Sequence, residues 1–363
     1  MKRLLYLASV TLAAGFALAA DWQIAEPGWR YESPRDHHAH LSFKTEWWYF
    51  TGNLSDATGR RFGYQLTFFR QGILPPDERK PELSRFVVRD LKFAHFTVTD
   101  VAARQFHFIQ KTSRGAFGEA GFDEGDRLAW LDSWSLRLDE DGAFHLTAAS
   151  ADATIDLRLV SLKPPAVHGT GGLSRKASGE GHASHYYSLT RLGTEGQIRM
   201  GAEAFGVTGE SWFDHEWATN QLSPQQVGWD WISLHLDDGT ELMLYRMRLE
   251  NREADASSSG TFIAADGTTT HLPLASFQMN PSAFWQSDAT GAKYPIAWKI
   301  DVPEKGLHFS VRAVLQNQEL ALLPLAYWEG AIEMNGTRDG KPIKGRGYLE
   351  LTGYAGPLRE LQR

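Results

Sequence analysis

The stretch SWFDHEW, residues 211–217, places one histidine and two carboxylates among aromatic residues. If it forms a strand, successive side chains face opposite ways. The two faces are Phe213, His215 and Trp217 on one side and Trp212, Asp214 and Glu216 on the other. His215 would then be the titratable group in an aromatic pocket wall, where burial lowers the pKa of a histidine and a nearby carboxylate raises it. The alternative is a structural strand whose Asp214 and Glu216 pair with basic residues.

A second acidic and aromatic stretch is GWDWISLHL, residues 228–236, in which Asp230 lies between Trp229 and Trp231. On a strand, Asp230 shares a face with apolar residues, beginning with Ile232. A desolvated carboxyl group has a raised pKa and can act as a general acid near neutral pH. The alternative is that Asp230 forms an ion pair with Arg246 or Arg248.

The stretch TEWWYFTGNL, residues 45–54, has one carboxylate, Glu46, beside three aromatic residues. Glu46 shares the strand face of Trp48, so it is either a desolvated acid or a member of an ion pair. Trp47, Trp48 and Tyr49 are candidate ligand-binding residues. His95, in FAHF, is a weaker candidate ligand-binding residue.

The sequence predicts no metal or cofactor. Residues 36–40, DHHAH, hold three histidines, but these lie too close together to share one strand face. The chain lacks an H-E-x-x-H motif and a G-x-S-x-G motif. It has no cysteine, which excludes disulfides, thiolate catalysis and iron–sulfur clusters.

The first 20 residues have the pattern of a cleavable secretory signal, with Lys2-Arg3, an apolar run and Ala17-Leu18-Ala19. The apolar run is shorter than the ~20 residues that a spanning helix needs, so no membrane span is predicted. Removal of Lys2 and Arg3 changes the net charge from −7 to −9. A protein this acidic is a poor partner for nucleic acid or an anionic membrane surface. We expect a periplasmic or secreted protein.

Alternating patterns separated by turn sequences predict an all-β fold, with a few short helices near residues 272–286. Three motifs recur in the same order in the two halves of the chain. The paired motifs begin at Trp47 and Trp229, at Trp134 and Trp298, and at Gly209 and Gly345. We therefore predict two tandem lipocalin-like antiparallel β-barrel or sandwich domains, residues 21–220 and 221–363. The loops at 71–84 and 168–185 are too polar to bury a core face.

These motifs, together with YWEGAIEMNG and GYLELTGYA near the C-terminus, resemble the family of carotenoid 1,2-hydratase (hydroxyneurosporene synthase) and the AttH-like secreted proteins. The resemblance runs over roughly residues 30–358 and implies a pair of lipocalin-like barrels. In the hydratase branch it implicates His215 and Trp217, with Trp229, Asp230 and Trp231, in protonating an alkene. The AttH branch implies an association with an ABC transport system.

Two hypotheses follow for an apolar small-molecule ligand. In the first, Asp230 or Asp214 protonates a polyene or isoprenoid-like substrate with the help of His215, and tryptophan faces stabilise the cation. In the second, the barrels carry a lipid-like molecule without catalysis. A third interpretation is that the aromatic residues only form the contact between the two barrels.

Overall fold

The computed structural model describes residues 22–322 and 326–358. The predicted signal, residues 1–20, lies outside the described residues. The described chain folds into two antiparallel sheets, one of 13 strands and one of 10. The all-β prediction of two tandem lipocalin-like sheets is therefore confirmed.

The first sheet contains β1 to β13. Its strands are β1 (Thr45–Asp56), β2 (Arg61–Gly72), β3 (Asp90–Asp100), β4 (Gln105–Ser113), β5 (Ala120–Glu124), β6 (Arg127–Leu131), β7 (Trp134–Leu138), β8 (Phe144–Ala149), β9 (Ala153–Ser161), β10 (Ala166–Val167), β11 (Ser174–Arg175), β12 (Ala183–Met200) and β13 (Glu203–Ala218). The order is β4-β3-β2-β1-β13-β12-β9-β8-β7-β6-β5, and β10 and β11 also pair with β12.

The second sheet contains β14 to β23. Its strands are β14 (Gln226–Leu236), β15 (Glu241–Leu249), β16 (Ser259–Ile263), β17 (Thr269–Pro273), β18 (Gln278–Gln286), β19 (Lys293–Val302), β20 (Leu307–Ala313), β21 (Glu319–Leu320), β22 (Tyr327–Arg338) and β23 (Lys341–Leu351). The order is β17-β16-β15-β14-β23-β22-β20-β19-β18, and β21 also pairs with β22. The predicted domain boundary at residue 220 lies between the two sheets and stays a prediction.

Helical structure among the described residues is limited to short 3-10 turns. These turns are Arg35–His37, Pro76–Glu78, Leu274–Ser276 and Pro303–Lys305. The prediction of helices near 272–286 is wrong apart from one such turn, because residues 278–286 pair with β19 as an extended strand. Within the described residues, no helix has the length and apolar character needed to cross a bilayer.

The internal repeat is visible in the strand orders. β1 and β14 occupy equivalent places, each between a hairpin partner and the last strand of its sheet. Trp47 and Trp229 lie on these two strands, and the Gly209 and Gly345 motifs lie on the equivalent strands β13 and β23. The Trp134 and Trp298 motifs are displaced by one strand. In the order of the first sheet, two strands separate β7 from β12, whereas in the second sheet only one strand separates β19 from β22.

Each sheet encloses its own apolar core, and a third buried cluster joins them. The members of this cluster are Tyr49, Ala166, Tyr186, Trp212, Leu222, Trp231, Met243, Tyr245, Met247, Ile263, Ala331, Tyr348 and Leu358. Hydrogen bonds also cross it, for example from Trp231 Nε1 to the hydroxyl of Tyr186 at 3.1 Å. We call the region between the two sheets the seam.

Close strand packing in the second sheet makes Gly347 intolerant of a side chain. A Cβ atom at this position would lie 1.8 Å from the carbonyl oxygen of Ser233 on β14. We expect Gly347→Ala to lower the free energy of unfolding by about 1–3 kcal/mol, measured by urea denaturation. Gly206→Ala on β13 is the control, because a Cβ there meets no atom within 4 Å. Equal effects of the two substitutions would contradict this packing.

Candidate functional site

Because side chains alternate along β13, the predicted residues lie in two places, the core of the first sheet and the seam. Phe213 and Trp217 belong to the core of the first sheet, and His215 lies among them with no exposed surface. Trp212 belongs to the seam, and Asp214 on the same face is 4% exposed. The structure therefore separates His215 from Asp214, so the predicted cooperation of these two residues in one site has no geometric basis.

Inside the first sheet, His215 meets Glu46 rather than Asp214. His215 Nε2 lies 3.0 Å from Glu46 Oε1, and both side chains are fully buried. Glu46 Oε2 accepts a hydrogen bond from Arg70 Nε at 3.1 Å. Burial alone would raise the pKa of Glu46, but hydrogen bonds with His215 and His40 and the charge of Arg70 hold it well below its usual range.

The segment before β1 covers this end of the first sheet. His40 Nδ1 lies 2.8 Å from Glu46 Oε1, and the His40 ring stacks on Trp217 at 3.6 Å between centroids. Trp48 stacks on His215 at 4.8 Å. His40, which the sequence analysis considered only as part of residues 36–40, thus forms a cluster with Glu46 and His215.

Asp230 lies on the inner side of the second sheet, in ion pairs. Its carboxylate is 2.7 Å from Arg246 Nη2 and 3.1 Å from Arg248 Nε, and it accepts a hydrogen bond from the hydroxyl of Tyr354 at 2.8 Å. This is the ion-paired arrangement considered as the alternative. A catalytic role for Asp230 stays a prediction.

His95 contributes to the seam from β3. Its Nδ1 atom lies 2.6 Å from the hydroxyl of Tyr327 on β22, and Phe69 and Phe93 pack beside its ring. Burial lowers the pKa of His95 to about 3, so the ring is neutral at physiological pH.

The seam contains a pair of carboxyl groups that the sequence analysis did not select. Glu329 on β22 and Glu350 on β23 are directly opposite each other in the antiparallel register, so their side chains share a face. The Tyr49 hydroxyl donates to Glu329 Oε1 at 2.5 Å, and Glu329 Oε2 has no hydrogen-bond partner among the described residues. The Trp229 indole donates to Glu350 Oε2 at 2.8 Å.

Both carboxyl groups of this pair favour their protonated forms. Burial raises the pKa of Glu329 well above its usual range, and the charge of Glu350 raises it further. Burial raises the pKa of Glu350 from 4.5 to about 7, against the lowering effect of the Trp229 hydrogen bond. Glu350, Trp229 and Trp47 remain partly exposed, so they lie at the solvent-facing edge of the seam.

Asp214 and Glu216 lie on the first sheet's side of the seam. Burial raises the pKa of Asp214 to about 7, although Ser188, Tyr186 and Trp212 all donate hydrogen bonds to it. Glu216 is instead paired with the buried Lys176, at 2.9 Å.

A sequence signal for Glu329 existed. In YWEG a glutamate adjoins a tryptophan on an alternating strand, as Glu46 does in TEWW. For Glu350, the match of the Gly345 motif to the Gly209 motif aligned it with Asp214. Glu350 and Asp214 occupy equivalent strands, and both side chains lie at the seam.

The chain as a whole matches a known family. The chain belongs to the AttH-like family, whose sequence model matches residues 24–354. The predicted relation to AttH-like proteins is thereby confirmed.

Particular relatives support this assignment. A crystal structure assigned to AttH from Nitrosomonas europaea is 34% identical, covers 92% of this chain and 99% of its own, and superimposes with a TM-score of 0.81. Kievitone hydratase from Nectria haematococca shares the fold at 13% identity and a TM-score of 0.70, covering 90% of this chain and 93% of its own. The dehydratase asqC of Emericella nidulans is 20% identical over 272 residues, which are 70% of this chain and 75% of that protein.

The raised pKa of Glu350 predicts a pH-dependent contribution to stability. Because the folded-state pKa is above the unfolded one, the contribution is fully present below about pH 4.5 and is lost as the pH rises through about 7. Glutamine mimics the protonated carboxyl group. Between pH 5 and pH 8 we expect the parent protein to lose about 1–2 kcal/mol of unfolding free energy more than Glu350→Gln, measured by urea denaturation.

Glu333→Gln is the matched control on β22. Ion pairing with Arg61 and Arg312 outweighs partial burial and lowers the pKa of Glu333, so this substitution should give no relative gain at pH 8. Parallel pH profiles for the parent and Glu350→Gln would show that Glu350 is ionised throughout this range.

Proposed function

We propose that this protein is a hydro-lyase-type enzyme acting on an apolar substrate in the seam. It adds water across a carbon–carbon double bond or removes water to form one. The observation that carries the proposal is the buried carboxyl pair Glu329 and Glu350 beside Trp229 and Tyr49. The names of two relatives, a dehydratase and kievitone hydratase, support the reaction class.

Glu350 has the properties of a proton donor. A general acid is most effective when its pKa lies near the working pH, and burial brings the pKa of Glu350 to about 7. Trp229 fixes one carboxyl oxygen at 2.8 Å, and the residual exposure of both side chains gives a substrate access. Glu329 lies opposite, and repulsion between two buried carboxylates disfavours the doubly ionised pair.

The proposed steps follow from this geometry. In hydration, the Glu350 carboxyl group protonates one alkene carbon and leaves a carbocation on the other. Water adds to the cation, and its excess proton returns to the Glu350 carboxylate, so the enzyme is regenerated. Dehydration is the reverse sequence.

Aromatic side chains of the seam would stabilise the cation. Trp47, Trp229 and Trp231 come from both sheets and belong to or pack against the seam cluster. An indole face stabilises a desolvated cation by up to about 2 kcal/mol, so several faces together lower the barrier considerably. All three residues are ligand-binding candidates from the sequence analysis.

The polyene or isoprenoid-like nature of the substrate and a periplasmic or secreted location are part of the proposal. A non-catalytic carrier that works with an ABC transport system is the second candidate, and it is favoured by the arginine pairing of Asp230, which holds one of the two expected acids in ion pairs. In a carrier the seam tryptophans would bind the ligand and no carboxyl group would need to exchange a proton.

The test uses purified protein in ¹⁸O-labelled water with kievitone or an acyclic carotenoid as probe. We expect a product heavier by one labelled water molecule, detected by mass spectrometry. Glu350→Gln should lower the rate by at least about 100-fold, because glutamine cannot donate an acidic proton. Binding, measured by quenching of tryptophan fluorescence, should change little.

Glu333→Gln, on the neighbouring strand and outside the carboxyl pair, should retain the parent rate. Full activity of Glu350→Gln would eliminate Glu350 as the acid. Quenching by both probes without product in the parent protein would favour the carrier.

A further inference from the structure

A separate cluster on the other face of β13 has the composition of a metal site. We propose that His40, Glu46 and His215 bind a divalent first-row transition cation, with Zn²⁺ the representative ion. One ligand atom of each residue lies within 4.8 Å of those of the other two. Two histidines and one glutamate form a known set of ligands for catalytic zinc, and two histidines with a carboxylate also bind non-haem iron.

The hydrogen bonds of His215 orient a free electron pair toward the cluster. Its Nδ1 atom lies 2.7 Å from the backbone carbonyl oxygen of Asp36. A carbonyl oxygen only accepts, so Nδ1 carries the hydrogen. In the neutral ring, Nε2 is then unprotonated and faces Glu46 Oε1 at 3.0 Å.

His40 is oriented in the same way by a side chain. Its Nε2 atom lies 3.4 Å from the Asp36 carboxylate, which accepts from it, and its Nδ1 atom faces Glu46 Oε1 at 2.8 Å. With both rings in their neutral forms, two electron pairs would be directed at one carboxylate oxygen. Metal-binding histidines have this arrangement, in which the second ring nitrogen donates to a carboxylate or to a backbone carbonyl.

Glu46 is held so that Oε1 faces the histidines. Arg70 Nε donates to Oε2 at 3.1 Å, while the backbone N–H of His40 approaches both oxygens, at 3.0 and 2.9 Å. The charge of Arg70 is itself shared with Asp90, at 3.3 Å. The cation would thus face two imidazoles and one carboxylate oxygen, with the guanidinium on the far side of the carboxylate.

The two nitrogen–oxygen distances suit a small cation after a slight expansion, and the two ring nitrogens lie within 4.8 Å of each other. Zinc binds nitrogen and oxygen at about 2.0–2.2 Å, which separates neighbouring tetrahedral ligands by about 3.3 Å. The two N–O distances of 2.8 and 3.0 Å need to widen by a few tenths of an ångström. The alternative is that the ring nitrogens of His40 and His215 that face Glu46 both carry protons. Such protons would leave the cluster without affinity for metal.

Such an ion would join three separate parts of the chain. His40 belongs to the segment before β1, Glu46 to β1 and His215 to β13. Binding would hold that segment over the end of the first sheet. This site lies on the inner face of β13, whereas the carboxyl pair of the proposed function lies in the seam, so the two proposals are independent.

The experiment starts with full-length protein treated with EDTA and dialysed into metal-free buffer. We expect titration with Zn²⁺ to give one ion per chain by plasma mass spectrometry and to raise the Tm. His40→Ala should weaken binding by at least about 100-fold, since loss of a ligand costs no less than loss of an outer partner. His38→Ala is the control, because that side chain is 41% exposed and contacts Asp123.

Absence of Zn²⁺ uptake by the folded parent protein would overturn the proposal, as would uptake that His40→Ala leaves unchanged. A second readout covers the case in which the variant does not fold. Trp217 stacks on His40 and Trp48 on His215, so Co²⁺ bound to the parent should quench tryptophan fluorescence until a chelator is added. Unchanged fluorescence at saturating Co²⁺ would also reject the site.

Discussion

Carboxyl groups of both sheets are buried where the sheets meet, and each must be neutral or compensated. Burial of an isolated carboxylate is too costly for the ionised form to persist. Glu216 is compensated by Lys176, and Glu241 by Lys163 and Arg191. No lysine or arginine of the described residues forms an ion pair with Glu329 or Glu350, and burial raises the pKa of both carboxyl groups, so the protonated forms are favoured between the two sheets.

The same sheet geometry gives β13 two different chemical environments. Its inward face brings His215 to Glu46, where basic groups surround a carboxylate. Its outward face brings Asp214 to Tyr186 and Trp212, where neutral donors surround a carboxyl group. One strand therefore separates a cluster that favours negative charge on Glu46 from a seam that disfavours it on Asp214.

Much of the fold could be predicted from the sequence because period-two alternation is a local property. The repeat of the Trp47 motif at Trp229 further indicated two similar sheets. The pairing of particular side chains could not be predicted, because it depends on register across the seam. Alternation correctly placed His215 and Asp214 on opposite faces, but it could not show that the inner face meets Glu46 or that Glu350 meets Glu329.

The positions of candidate residues in irregular segments were harder still to predict. His40 was set aside because three nearby histidines cannot share a strand face, and that argument assumed a strand. Residues 35–37 instead form a 3-10 turn, after which the chain directs His40 inward. The helix expected near residues 272–286 failed for a related reason, since pairing with β19 determines the conformation there.

The pairing of β1 with β13 also determines the order of events during folding. Thr45 is the register partner of Ala218, so the centre of the first sheet joins residues far apart in the chain. Contacts of such long range slow folding, because a large loop must close before they form. On the ribosome, the aromatic part of β1 has no partner on that side until residues 213–216 have emerged. During that interval it is an unpaired strand edge of the kind that promotes association between chains.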